Sequence, residues 1–147
     1  MACAAHGQST HGYVFAAPGG ATSGFYTSAT LNFGIGMEAR VVPHLGAGIE
    51  GSGLGFIDNF AGSIMGVISP NGYFHFKGAK AATVDPYVTS GYTLMFRYGS
   101  ANIFNVGGGV NIWPREHLGL KVEIRDHIDA RYDTIHYWGI RFGLAFR

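Results

Sequence analysis

Seven histidines, one cysteine and a run of aspartates are the residues of this chain whose chemistry could be catalytic or metal-binding. His6, His11, His44 and His117 fall in the N-terminal stretch or beside turns and show no ligand spacing, and His75 stands alone within a strand pattern. His127 and His136 flank a loop that also holds Asp126, Asp129 and Asp133. That is the one cluster with cation-ligand composition, and exposed loop polarity explains it more simply. No His-x-Ser pair occurs, no Ser, His and Asp stand at a spacing that argues a triad, and Cys3 has no partner to activate it, so the expectation is no enzyme, no cofactor and no metal. Gly107-Gly108-Gly109 and Gly34-x-Gly36 lack the helix, and the former the lysine, of a phosphate loop. Close packing of strands accounts for them better.

The elements that carry these residues read as strands. In Ile135 to Arg147 the even positions Trp138, Ile140, Phe142, Leu144 and Phe146 are large and apolar, while Tyr137, Gly139, Arg141, Gly143 and Ala145 are mostly small. A period of two is a strand, and a narrow second face suits the interior of a small closed barrel whose bulky face meets lipid. Similar alternation recurs in segments of about residues 11–17, 25–41, 45–56, 63–76, 84–97, 103–113 and 118–127, giving eight strands. Loops are expected at Pro18-Gly19-Gly20, at 57–62, at 98–102 and at 128–134 on one rim. The other rim carries 42–44, 77–83 and 114–117. A bulge is expected at Gly51-Ser52-Gly53 and a bend or bulge at Ser69-Pro70-Asn71-Gly72.

The seventh strand sets Leu118, Leu120, Val122 and Ile124 on one face against Lys121, Glu123 and Arg125 on the other. Charges of alternating sign beside glycine-rich neighbours read as a paired network filling a lumen. Glu38, Arg40, Glu50, Arg97, Lys121, Glu123, Arg125 and Arg141 form the expected interior set, each paired because an isolated buried charge does not persist. The lipid-facing set is Leu118, Leu120, Val122, Ile124, Trp138, Ile140, Phe142, Leu144 and Phe146. Tyr13, Tyr98, Trp113, Tyr137 and Trp138 are expected in aromatic girdles.

Composition agrees with this arrangement. At 147 residues the chain is one domain, with 24 glycines, 14% aromatic and only 13% charged residues. A net charge of +1 without basic clusters excludes nucleic acid. Residues 1–37 hold no Asp, Glu, Lys or Arg, yet no run of about 18 apolar residues occurs, so no transmembrane helix is expected. A barrel is then the available way to cross a membrane. Residues 1–10 read as a disordered tail or the remnant of a secretory signal, with Met-Ala-Cys-Ala-Ala-His as its small-residue end, and residues 11–147 as the barrel domain.

Gly107 to Trp113, then His117 to Asp126, then the last strand make the chain resemble the small eight-stranded outer-membrane β-barrel family of Gram-negative bacteria, the OmpA/OmpX-like group. The resemblance is most specific over about residues 84–147. It implies an all-β, eight-stranded antiparallel up-and-down transmembrane β-barrel in the bacterial outer membrane, with outer-membrane lipid and the insertion machinery as partners. That machinery reads a last strand ending in an aromatic; here Phe146 is penultimate and Arg147 follows. The family's roles are diverse, and the reading adopted is a non-enzymatic structural envelope protein open to barrel–barrel self-association. The alternative is a binding or transport module, either a lipocalin-like carrier of an apolar ligand or a narrow channel.

Overall fold

The computed structural model describes residues 10–78 and 83–147. The expected tail or signal remnant therefore lies outside the described residues, except that Thr10 already belongs to the first strand. Eight strands, β1 (Thr10–Ser23), β2 (Tyr26–Val42), β3 (Leu45–Phe56), β4 (Met65–His75), β5 (Val84–Phe96), β6 (Ser100–Ile112), β7 (Leu118–Asp129) and β8 (Ile135–Phe146), pair in sequence order, and β8 returns to β1 to close an antiparallel barrel. A closed barrel leaves no strand edge, so every strand finds a hydrogen-bonding neighbour on both sides.

Several strands run further than their sequence patterns. β1 continues straight through Pro18-Gly19-Gly20, with Pro18 opposite Leu31 of β2. On its other side the pairing with β8 lapses between Ala16 and Gly19, around the residue that has no N–H to give. Gly19 is there for closeness rather than for turning, since a Cβ at that position would lie 1.9 Å from the Trp138 carbonyl oxygen. Pro70 behaves alike: the ladder to β3 is continuous, that to β5 is interrupted between Ile68 and Asn71, and the register on either side is unchanged, so no bulge forms there. The Ser69 and Thr93 hydroxyls, 2.9 Å apart, span the gap from inside. Gly51-Ser52-Gly53 is likewise regular, and the one irregularity between β2 and β3 falls at Arg40/Val42.

Turns are correspondingly short. Gly24-Phe25 joins β1 to β2, with Gly24 at φ +58, the left-handed value a two-residue hairpin asks of its first central residue. The β3–β4 connection forms two short helical turns, Ile57–Asn59 and Phe60–Ser63, in which Asn59 caps by accepting the Gly62 N–H at 3.2 Å. Part of the expected polar turn at 77–83 lies outside the described residues.

Inside the wall, glycines make room for long side chains. A Cβ on Gly36 would stand 2.5 Å from the Tyr13 ring, and one on Gly109 would stand 2.4 Å from the Val122 carbonyl oxygen and 2.9 Å from Glu123 Cβ. Gly51 faces outward and a Cβ there meets nothing within 4 Å. Gly109→Ala should therefore destabilise the barrel by about 1–3 kcal/mol, since backbone must yield, while Gly51→Ala should be neutral or slightly stabilising. Urea unfolding of the two variants side by side checks the contrast.

Candidate functional site

Among the described residues, strand parity delivers to the interior a charged column that no helix or loop contributes to. Glu38, Arg40, Glu50, Lys121, Glu123, Arg125 and Arg141 are all buried inside the barrel. At its centre Glu50 accepts Arg125 Nη1 at 2.7 Å, Arg141 Nη1 at 2.6 and 2.8 Å, the Tyr13 hydroxyl at 3.1 Å and the Asn71 amide at 3.3 Å. Arg125 reaches Glu123 through Nε at 2.6 Å, and Tyr87 donates to the same carboxylate at 2.6 Å. Each carboxylate thereby faces two or more donors, the condition under which buried charge is tolerated.

Lys121 closes the column below. Its Nζ lies 4.2, 4.6 and 5.4 Å from the ring centres of Tyr87, Tyr13 and Tyr73, and 3.9 and 4.0 Å from Glu38 and Glu123. Three ring faces and two carboxylates compensate the ammonium that the barrel has removed from water. Near the termini, His75 is held between Glu38 and Asp85, and Arg40 joins Asp85 at 2.6 Å. Of the five carboxylates buried among the described residues, Glu38, Glu50, Asp85 and Glu123 lie with the four buried cations Arg40, Lys121, Arg125 and Arg141, and Asp129, near the opposite end, pairs with Arg131.

At the opposite end Leu54, Val67, Met95 and Ile103 form an apolar stopper, with Met65, Ala101 and Tyr137 packed against it. Between it and the charges lies a cavity of about 10 Å³, lined in part by Asn32, Arg125, His127 and Arg141. That is room for about one water molecule. Asn32 Oδ1 and Arg125 Nη2, an acceptor and a donor, are buried there without a protein partner.

Arg97 is the exception among the expected interior residues. β5 ends at Phe96, so Arg97 falls in the turn, exposed, with its guanidinium 5.0 Å from the Tyr98 ring centre. Its parity is that of the interior, but the wall has stopped. Arg97→Ala should shift stability by less than about 0.5 kcal/mol in the same unfolding assay. The girdle expectation is also corrected. Tyr13 and Trp113 are inside, because glycines on β2 and β7 open space for their rings; Tyr137 is half-buried against the stopper; Tyr98 is on a turn; Trp138 alone of the five is on the outer wall.

Sequence reading did not place Asp85, His11, His75 and His127 in this column. Their signal was present: Asp85 shares parity with Thr89, His75 with Tyr73, and His127 with Arg125. The cluster around the last loop disperses. His127 turns inward to within 3.1 Å of Thr93 Oγ1, Asp129 takes Arg131 at 2.8 Å, and Asp126 meets His136 at 2.6 Å on the outer wall. Among the described residues no group of three His, Cys, Asp or Glu side chains converges as a metal site would.

The outer surface is the inverse of the interior. Leu118, Leu120, Val122, Ile124, Trp138, Ile140, Phe142, Leu144 and Phe146 all point outward, as do Phe33, Ile35, Met37, Ile49, Ile68, Phe74, Val88 and Phe104. A lipocalin-like carrier would have the bulky faces inside and Lys121, Glu123 and Arg141 in solvent, which is the reverse of what is found.

No protein-family model and no curated protein sequence matches the chain. Solved structures do. Neisserial surface protein A is similar over 96% of this chain and 99% of that one, with a TM-score of 0.76 and 13% identity. The N-terminal β-barrel domain of Pseudomonas aeruginosa OprF is similar over 93% and 95%, with a TM-score of 0.66 and 13% identity. A de novo designed transmembrane β-barrel is similar over 92% and 93%, with a TM-score of 0.61 and 17% identity. Closed ladder, charged interior and apolar wall together give the chain the fold of the eight-stranded outer-membrane β-barrels.

Proposed function

We propose that the protein is an integral barrel of a bacterial outer membrane, with a plugged lumen and a non-enzymatic, structural role in the envelope. The observation that carries this reading is the inverted polarity of the wall. Along β2 the outward residues from Leu31 to Val41 cover about 25 Å of the barrel axis, at about 3.3 Å per residue and a tilt of about 40°. That is the height of the apolar band of such barrels, about 25 Å. Two outward polar side chains of β5 find partners within the wall: Ser90 donates to the Asn105 carbonyl at 3.1 Å, and the Tyr92 hydroxyl to Asn102. The structural role, rather than passage, is supported by the ion pairs and the apolar stopper that occupy the lumen, between which lies a cavity with room for about one water. Lipid of the outer membrane and the insertion machinery are the partners this reading requires, and turns this short leave barrels free to pack side by side.

Expression behind a bacterial secretion signal, followed by fractionation and a denaturing gel with and without boiling, tests it. The expected result is an outer-membrane band whose mobility changes on boiling. A soluble, folded protein would overturn the membrane reading, and solute flux through reconstituted vesicles would overturn the plugged lumen.

A further inference from the structure

The buried ring of His75 is engaged at both of its nitrogens by carboxylates. Nε2 lies 2.6 Å from Glu38 Oε1 and Nδ1 lies 3.0 Å from Asp85 Oδ2. Neither ionised carboxylate has a proton to offer, and a neutral imidazole has one N–H, so both bonds require one further proton on the cluster, held on the ring. These two partners come from β2 and β5, strands that are not neighbours in the wall. His75 therefore ties together elements that the ladder leaves separated by β3 and β4. A glycine on β3 leaves room beside the tie: a Cβ on Gly46 would stand 3.0 Å from Glu38 Oε1 and 3.5 Å from His75 Nε2.

The cluster also reaches the turns at this mouth. Arg40 bonds Asp85 and donates through Nη1 to the carbonyls of Pro43 at 3.2 Å and Lys77 at 3.1 Å. The His44 ring donates to the His75 carbonyl at 2.8 Å, and the His75 N–H to the His44 carbonyl at 2.8 Å. Other charged and titratable groups face it from every side. His11 on β1 is 3.6 Å from Glu38, Lys121 on β7 is 3.9 Å from Glu38, and the rings of Tyr73 on β4 and Tyr87 on β5 are 6.4 and 5.6 Å from the His75 ring.

We propose that Glu38, His75 and Asp85 form a proton-operated latch that fastens the terminal-side mouth of the barrel. With the ring doubly protonated the latch joins β2 to β5. Loss of one proton to solvent leaves the ring with one N–H for its two carboxylates, so one of the two ring bonds is lost, and the mouth loosens while the Glu50 and Glu123 network above stays in place. The sign follows from proton counting. The folded cluster holds a proton that an unfolded, neutral histidine does not, so stability falls as pH rises through the release step. At strongly acid pH the carboxylates themselves become protonated and the latch is lost on that side as well.

Two measurements test this on the whole chain in detergent micelles. The first is ring-nitrogen NMR of His75 at about pH 7. Two protonated ring nitrogens are expected, and a neutral tautomer would overturn the proposal even if no variant folded. The second is urea unfolding from about pH 5 to about pH 9 in the parent, in His75→Gln and in Asp85→Asn. In the parent the folding constant should fall by up to about tenfold per pH unit between the titration of the unfolded histidine and the release step, the limit for one linked proton, and level off above it. Both variants should lose that slope, although His6, His11, His44, His117, His127 and His136 remain in each. A flat parent, or a slope that survives in His75→Gln, would show that the latch does not operate.

Discussion

Glu50→Leu is expected to abolish the folded barrel or weaken it by about 3–5 kcal/mol, the loss seen when one member of a buried charge cluster is removed. Glu50 is the hub of the interior: Arg125 and Arg141 both end on it, and Tyr13 and Asn71 donate to it. Its replacement leaves two guanidiniums, 1% and 3% exposed, sharing Glu123 alone. Neither can swing to water, because the stopper above and the tyrosines below enclose them. The size of the effect is a penalty for orphaned charge rather than the net worth of the pairs. A quadruple variant, Glu50→Leu and Glu123→Gln with Arg125→Leu and Arg141→Met, removes two carboxylates together with the two cations that they share, and should therefore recover most of the lost stability, since uncharged groups of similar volume can stand in for a buried ion cluster. Urea titrations monitored by the heat-dependent gel shift measure both. Near-parental stability of the single variant would show the network to be dispensable.

Phe142→Arg should prevent membrane assembly or destabilise the assembled barrel by about 2–4 kcal/mol, the range for a cation at the midplane of a barrel's lipid face. Phe142 pairs with Val122 of β7 and Ala16 of β1, half-way along β8 and far from either rim where a long side chain could reach water. Placed on the water-facing surface of a soluble barrel, the same arginine would cost almost nothing. The comparison with Arg97→Ala makes the point sharper: removing a turn arginine is expected to be silent, adding one to the wall severe. Fractionation and refolding into lipid vesicles supply the readout, and a Phe142→Arg protein that assembles as well as the parent would count against lipid at this face.

Alternation along each strand was enough to sort residues into two faces, because side-chain direction in a strand depends only on parity. Lys121, Glu123 and Arg125 inside, and Leu118 to Ile124 and Trp138 to Phe146 outside, follow from that rule and from the improbability of eight alternating segments without a closed ladder. Parity has no knowledge of where a strand stops. Arg97 carries the interior parity yet sits one residue beyond the wall, and Pro18 and Pro70 stay in the wall because each disturbs the ladder on one side only. Partnership inside the lumen was equally hidden. Glu50 and Arg141 are 91 residues apart, and Tyr13 and Tyr73 are 60 apart; only closure of β8 onto β1 brings such pairs across the barrel. The sequence by itself determined which face of each strand is charged, glycine-rich or apolar, since that is written locally. The tertiary structure alone decided which charges meet, that His75 is shared by two carboxylates, and that tyrosines rather than solvent surround Lys121, since those distances depend on the shear of the closed wall.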